Sequence, residues 1–197
     1  MALTIQSFSG SDAAPYFDDL ARLRIAVFRD FPYLYHGDSD YERRYMEIYA
    51  RSEGSVFILA MDDGTVVGAS TGTPMITETD EVQAPFIAAG RDPADYFYFG
   101  ESVLLPAYRG RGIGVGFFDG RETQAKKLGL RYCTFCAVQR PLDHPRRPAD
   151  YQPLDAFWAK RGYTHHPELI TTFSWRELDE TVESPKPLSF WIRDLGA

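Results

Sequence analysis

Arg109-Gly110-Arg111-Gly112-Ile113-Gly114-Val115-Gly116 is the stretch that decides the fold. An apolar, strand-like run at residues 96–105 precedes it, and Phe117, Phe118, Gln124, Ala125 and Leu128 continue it as a helix pattern. The first turn of a helix leaves several N–H groups without intrahelical partners, and the helix dipole adds partial positive charge there. Glycines let an anion approach the backbone, and Arg109 and Arg111 add full charges suited to phosphate. The pattern therefore predicts a phosphate cradle. A Walker A loop is excluded, because no Lys-Ser or Lys-Thr follows these glycines. A dinucleotide fingerprint, G-x-G-x-x-G, is excluded too: its last position falls on Val115 counting from Gly110 and on Phe117 counting from Gly112.

Charge places the same segment apart. The 197 residues carry a net charge of −7, which disfavours general binding to nucleic acid. Residues 101–150 nevertheless hold nine Lys or Arg against five Asp or Glu, while residues 1–100 hold seven against sixteen. The glycine-arginine run explains that basic middle. Length and a 44% hydrophobic content suit one domain, 1–197, with an insertion around residues 74–96 that carries local function or covers a site. No apolar run reaches a membrane span of roughly 18 residues, and residues 1–10 lack the pattern of a signal peptide. A cytoplasmic protein without membrane contact is expected. Cys133 and Cys136 lie three apart on a predicted strand and so face opposite ways, which argues against a redox pair or a metal clip. His165-His166 reads as a turn, and no metal is expected.

Periodicity sets the element order. Residues 3–8 alternate as a strand, and a helix from Ser11 or Asp12 to about Arg29 would bury Phe17, Leu20, Leu23 and Val27. Ser39 and Glu42 form a capping box before a second helix with the stripe Tyr41, Tyr45, Ile48 and Tyr49. Residues 55–60 and 66–73 form a hairpin across Asp63-Gly64. A short helix is expected near 81–89. Residues 96–105 and 131–138 are strands around the glycine-opened helix, 153–161 is a short helix ended by Gly162, and strands close the chain at 169–175 and 188–193. Phe190 and Trp191 on the last of these are candidates for a homodimer contact. This order points to an α/β (α+β) domain with a mixed sheet.

With the motif in that setting, Val103-Leu104-Leu105-Pro106-Ala107-Tyr108-Arg109-Gly110-Arg111-Gly112-Ile113-Gly114 resembles the core motif of the GNAT superfamily of acyltransferases, Q/R-x-x-G-x-G/A after a strand. Phe157-Trp158-Ala159-Lys160-Arg161-Gly162-Tyr163 resembles the family's F-Y-x-K-x-G-F segment. Both occur in the family's order, and the resemblance covers residues 98–163. It implies a mostly antiparallel, splayed sheet flanked by helices, and N-acetyl transfer from acetyl-CoA to a primary amine by direct attack. It places the pyrophosphate on Arg111, Gly112, Ile113, Gly114 and Val115, with Arg109 and the Gly116 amide as additions. It also places the pantetheine arm along Val103, Leu104 and Leu105. A bulge at Gly100 would open the sheet, since glycine tolerates unusual dihedrals.

The implied chemistry needs two proton movements. An alkylammonium with a pKa of about 10.4 must lose a proton before attack, and the thiolate leaving group gains from a donor. Glu101, on the motif strand beside Gly100, is the candidate general base. The family's usual acid, a tyrosine, is Trp158 here, and indole does not donate protons in that sense. Tyr151 is the leading replacement. Tyr33, Tyr35 and His36, between the first two helices, are candidate acceptor contacts, and His144, Arg146 and Arg147 are weighed as contacts to an adenosine phosphate. The acidic first hundred residues suit a cationic acceptor, a small molecule or a peptide. The missing tyrosine keeps an alternative open, a non-catalytic acyl-CoA sensor or interaction module.

Overall fold

The computed structural model describes residues 3–196. Its strands are β1 (Leu3–Ser9), β2 (Val56–Asp62), β3 (Thr65–Pro74), β4 (Tyr96–Tyr98), β5 (Ser102–Leu104), β6 (Tyr132–Val138), β7 (Thr164–Trp175) and β8 (Ser184–Asp194). Its α-helices are α1 (Phe17–Phe28), α2 (Ser39–Arg51), α3 (Asp80–Ala88), α4 (Ile113–Lys127) and α5 (Asp155–Lys160). The strands form one eight-stranded sheet in the order β1-β2-β3-β4-β6-β8-β7, with β5 paired to β3. The β4–β6 pair is parallel and the others are antiparallel, as expected of a mixed sheet.

Both faces of the sheet are covered, which is why β2 reads as a continuous apolar run. Phe57 and Leu59 point to Leu20, Leu23 and Met46 of α1 and α2. Ile58 and Ala60 point to Phe117, Phe118 and Ala125 of α4. A third cluster packs Val82 and Phe86 of α3 on Tyr98, Phe190 and Ile192. Cys133 and Cys136 fall in clusters on opposite faces, and both are free thiols.

Several expectations need correction. The first helix pattern splits into a 3-10 turn, Gly10–Tyr16, and α1, because Pro15 removes a backbone donor. The cap of α2 is Asp38, whose side chain accepts from the Tyr41 amide at 2.8 Å, so Glu42 is free to turn inward. Tyr41 is 53% exposed, and the buried stripe of α2 runs through Glu42, Met46 and Tyr49; the Ile48 side chain lies outside the described residues. His165 and His166 are in β7 rather than a turn: His165 stacks on Trp191 at 4.9 Å, and His166 pairs with Glu168 at 2.8 Å. Phe190 and Trp191 are buried within the chain, so they do not offer a homodimer contact.

The strand expected over 96–105 is two strands. β4 continues to Phe99, whose amide donates to Thr134 of β6 at 2.8 Å; beyond it, β5 pairs with β3 and not with β6. Gly100 sits at this break, but its φ is not positive. Glycine is required by close approach instead: a Cβ there would lie 2.6 Å from Thr71 Oγ1 and 3.0 Å from Tyr49 Oη. Arg121 of α4 supports the break from the opposite face. Its guanidinium is 2% exposed and donates to the carbonyls of Phe117 (3.1 Å), Glu101 (3.1 Å) and Thr71 (3.4 Å), with the Phe99 ring 4.1 Å away. Burial pulls its pKa down to about 10, which leaves it charged at neutral pH. Arg121→Leu would strand those carbonyls in the core. Urea denaturation is expected to show a loss of about 3 kcal/mol, whereas a loss under ~0.5 kcal/mol would mean that the break holds itself open.

Candidate active site

The glycine-arginine run forms the entrance to α4. Gly110 (φ +74°) and Gly112 (φ +80°) adopt left-handed backbone that side chains resist, and a Cβ on either would meet nothing within 4 Å. Helix geometry leaves the amides of Ile113, Gly114 and Val115 outside the i to i−4 ladder. The Gly116 amide is different: it donates to Gly112 O at 3.1 Å, so the expected contribution from Gly116 is withdrawn. Gly116 serves packing, since a Cβ there would lie 2.5 Å from Ile5. Arg109 and Arg111 are exposed beside the cradle, with Arg111 over the Tyr108 ring at 5.1 Å. Open left-handed glycines, unsatisfied amides and two flanking guanidiniums fit a diphosphate.

From this cradle the unpaired edge of β5 leads back to Gly100. Val103 is fully buried and registers on Ala69, while Leu104 and Leu105 are partly buried. Because β6 pairs with β4 only as far as the Phe99–Thr134 contact, the backbone edge over 102–105 faces the splay, where an extended amide-bearing arm can add as a strand.

On the α1–α2 face of the break lies a cluster of ionisable side chains. Glu101 is 6% exposed, and its Oε2 is 2.7 Å from Arg24 Nη1. Arg24 and Thr71 both help to hold the charged form of this carboxylate. Arg24 also pairs through Nε with Glu42, which is wholly buried, and lies over the rings of Tyr45 (4.5 Å) and Phe28 (5.1 Å). Burial pulls the Arg24 pKa down, but Glu101, Tyr45 and Glu42 together hold it above the ordinary arginine range. Glu101 goes the other way: burial raises its pKa although Arg24 opposes the rise. Tyr45 and Tyr49 are held well above the ordinary phenol range by burial first, so both stay protonated donors. Glu78, just after β3, completes the group, with its pKa pushed up to about 7 mainly by burial.

The other predicted residues divide between this cluster and the surface. Tyr33 packs on Trp175 (5.8 Å) and on Phe28 (4.6 Å), the ring that also lies under Arg24, and burial is the main cause that raises its hydroxyl pKa. Arg140 fastens its loop by donating to Pro32 O (2.7 Å) and pairing with Glu177 (2.6 Å). The Tyr35 pKa is raised by burial first and then by Glu42, whereas His36 is exposed and turned to Arg176. Tyr151 meets Phe31 edge-on at 4.7 Å under the Arg147 guanidinium, and His144 also packs on Phe31. Trp158 is partly buried against the core, beside Phe135 (5.0 Å) and Trp191 (5.2 Å), and Tyr163 is buried with its hydroxyl on Glu122.

Sequence reasoning passed over Arg24, Glu78, Tyr49 and the inward role of Glu42. A signal for two of them existed: Arg24 is one helical turn from Leu20, and Glu42 is one turn from Met46, both on apolar faces. Arg24→Met would leave two buried carboxylates without their cation. A loss of about 3–5 kcal/mol is expected at neutral pH. Glu101, already raised by burial, would then rise further in pKa, so the variant gains stability as it protonates, and the loss measured by denaturation should be smaller at about pH 5 than at about pH 8. Equal losses at the two pH values would contradict the ion-pair account.

Comparisons with known proteins bear on this geometry. The family model described as "Acetyltransferase (GNAT) family" matches residues 20–149, well over half of the chain. A search of curated proteins found no match. Among solved structures, the chain is similar to a ribosomal-protein-alanine N-acetyltransferase from Brucella melitensis (14% identity, covering 98% of this chain and 100% of that one, TM-score 0.63). An N-acetyltransferase from Staphylococcus aureus Mu50 (16% identity, 100% of both chains, TM-score 0.61) and a GCN5-related N-acetyltransferase from Kribbella flavida (17%, 98% of both, TM-score 0.58) share the fold. With the family model spanning the first helix, the split strand and the cradle, this chain belongs to the GNAT acetyltransferase family and is an enzyme of that type.

Proposed function

We propose that the protein transfers an acetyl group from acetyl-CoA to a primary amine by direct attack. One observation carries this: an open anion cradle and a buried carboxylate, paired with Arg24, stand at opposite ends of one strand edge left unpaired among the described residues. The amides of Gly112, Ile113, Gly114 and Val115, with Arg109 and Arg111, hold the diphosphate, and the edge over Val103, Leu104 and Leu105 aligns the arm. Acetyl-CoA supplies an activated thioester at the break. Glu101 accepts the proton of the attacking nitrogen. Its burial favours proton uptake, and the Arg24 contact keeps it ionised and oriented beforehand. The C–N bond forms as the C–S bond breaks, and the sulfur leaves with a proton. Tyr151 remains the proposed donor for that step. Tyr33 and Tyr35 border the acceptor, and His36 lies at its outer rim.

The test is calorimetric titration with acetyl-CoA beside a thiol-release assay with primary amines. Gly114→Asp is unstrained, since its φ is not positive and the nearest atom to its Cβ is Phe157 Cζ at 3.6 Å. It should weaken acetyl-CoA at least about 100-fold by placing a charge on the cradle. Glu101→Gln should keep acetyl-CoA affinity and lower kcat about 100-fold or more. Binding without turnover of any amine would favour the sensor reading, which Trp158 at the family's tyrosine position supports. No binding would overturn the assignment.

A further inference from the structure

Arg140 stands where three segments meet that are far apart in sequence. It follows the end of β6, and its side chain is 11% exposed. Its Nε donates to Pro32 O at 2.7 Å and its Nη2 to Tyr33 O at 3.3 Å, both in the connection between α1 and α2, residues 29–38. The same Nη2 pairs with Glu177 Oε1 at 2.6 Å, just past β7. Glu177 is buried, and Lys186 of β8 lies 3.7 Å from that oxygen, with Glu180 balancing this second cation at 2.8 Å. Further bonds continue the seam. His36 N donates to Arg176 O at 2.9 Å, Leu178 N to Leu34 O at 2.9 Å, and Trp175 Nε1 to Tyr33 O at 3.0 Å. Apolar packing would hold three segments together at less cost in desolvation. Directed donors add a fixed angle between them.

The segments joined here border the site from two sides. Arg24, 2.7 Å from Glu101, lies over the Phe28 ring at 5.1 Å, and Phe28 packs on Tyr33 at 4.6 Å. The 29–38 connection therefore begins at the wall of the proposed base. β6 is the far bank of the splay: past Thr134 it pairs with β8 and with no strand on the β4 side among the described residues. We propose that Arg140 is a positioning residue for the acceptor, which locks the 29–38 connection to the end of β6 so that an amine passing Tyr33 meets Glu101 and the thioester in one orientation. This rests on the acetyl-transfer reading above. Arg140 touches no reacting atom. Its contribution is preorganisation: a connection fixed beforehand need not be ordered when the amine binds. Lysine at this position would keep a charge facing Glu177 but lose the planar fork that reaches Pro32 and Tyr33 together.

The test uses the full chain, with n-butylamine and benzylamine as acceptors, acetyl-CoA as donor and thiol release as the readout. Arg140→Met keeps the apolar stem and removes the donors. It should raise the amine KM about 30-fold and leave kcat and acetyl-CoA affinity within about threefold of the wild type. Arg140→Lys should recover only a small part of the loss. Glu177→Gln keeps the shape of the partner and removes its charge. It should raise the amine KM about fivefold, and the double variant should be no worse than Arg140→Met, since both act through one contact. Amide exchange read by NMR should quicken at His36 and Leu178 in Arg140→Met and stay unchanged along the β4–β6 pair. A merely destabilising substitution would lower the unfolding midpoint and leave the amine KM alone. An unchanged amine KM in Arg140→Met therefore overturns the positioning role, and if that variant does not fold, an unchanged KM in Glu177→Gln does the same. A wild-type chain that acetylates neither amine counts against the transfer reading, and amide exchange then decides the lock: unaltered exchange at His36 and Leu178 overturns it, and faster exchange upholds it.

Discussion

The buried guanidinium of Arg121 joins the two halves of the site. It rises from α4, whose N-terminus forms the anion cradle, and donates to the carbonyls of Thr71 and Glu101 across the sheet. One helix thus fixes the cradle and the backbone of the proposed base in a single frame. The cation has no carboxylate partner among the described residues. Carbonyl dipoles and the faces of Phe99 and Phe118 satisfy it instead, an arrangement that tolerates burial only when each donor is placed. Gly100 is the counterpart on the other face, where Thr71 and Tyr49 leave no room for a side chain.

Across the sheet the electrostatics are reversed. One arginine, Arg24, is shared by two buried carboxylates, Glu42 and Glu101. Burying charge without full compensation costs stability, and here the uncompensated charge falls on groups that proton transfer would use. Burial first raises both Glu78 and Glu101, with Glu101 adding to the rise of Glu78 and Glu42 to that of Glu101, while the neighbouring tyrosines are kept protonated. The result is a recess of neutral donors and easily protonated acceptors, a suitable surrounding for an amine that must shed protons.

The glycine-arginine run, the element order and the mixed sheet were legible in the sequence because each rests on local pattern: helix-start glycines, period-two strands, and an Asp63-Gly64 turn. Glu101 was legible for the same reason, by its place beside Gly100. The burial of Glu78 was not, since nothing local marks a glutamate in a Pro-rich connection, and only the fold shows that its carboxylate is shielded. The reading of Gly100 reached the right residue for the wrong cause, dihedral freedom in place of close contact, because sequence holds no record of what packs opposite. Tyr41 and Glu42 exchanged places for a similar reason: Asp38, not Ser39, caps α2, and Glu42 turns inward to Arg24, a partner 18 residues away.

The central claim is that one strand edge carries an acyl-CoA from the α4 cradle to the break at Gly100. A crystal structure of the chain with coenzyme A tests it most directly. The account predicts the diphosphate on the amides of Gly112 to Val115, the arm alongside Val103 to Leu105, and the sulfur beside Gly100. A diphosphate bound elsewhere, or an arm that leaves the β5 edge before Gly100, would contradict it.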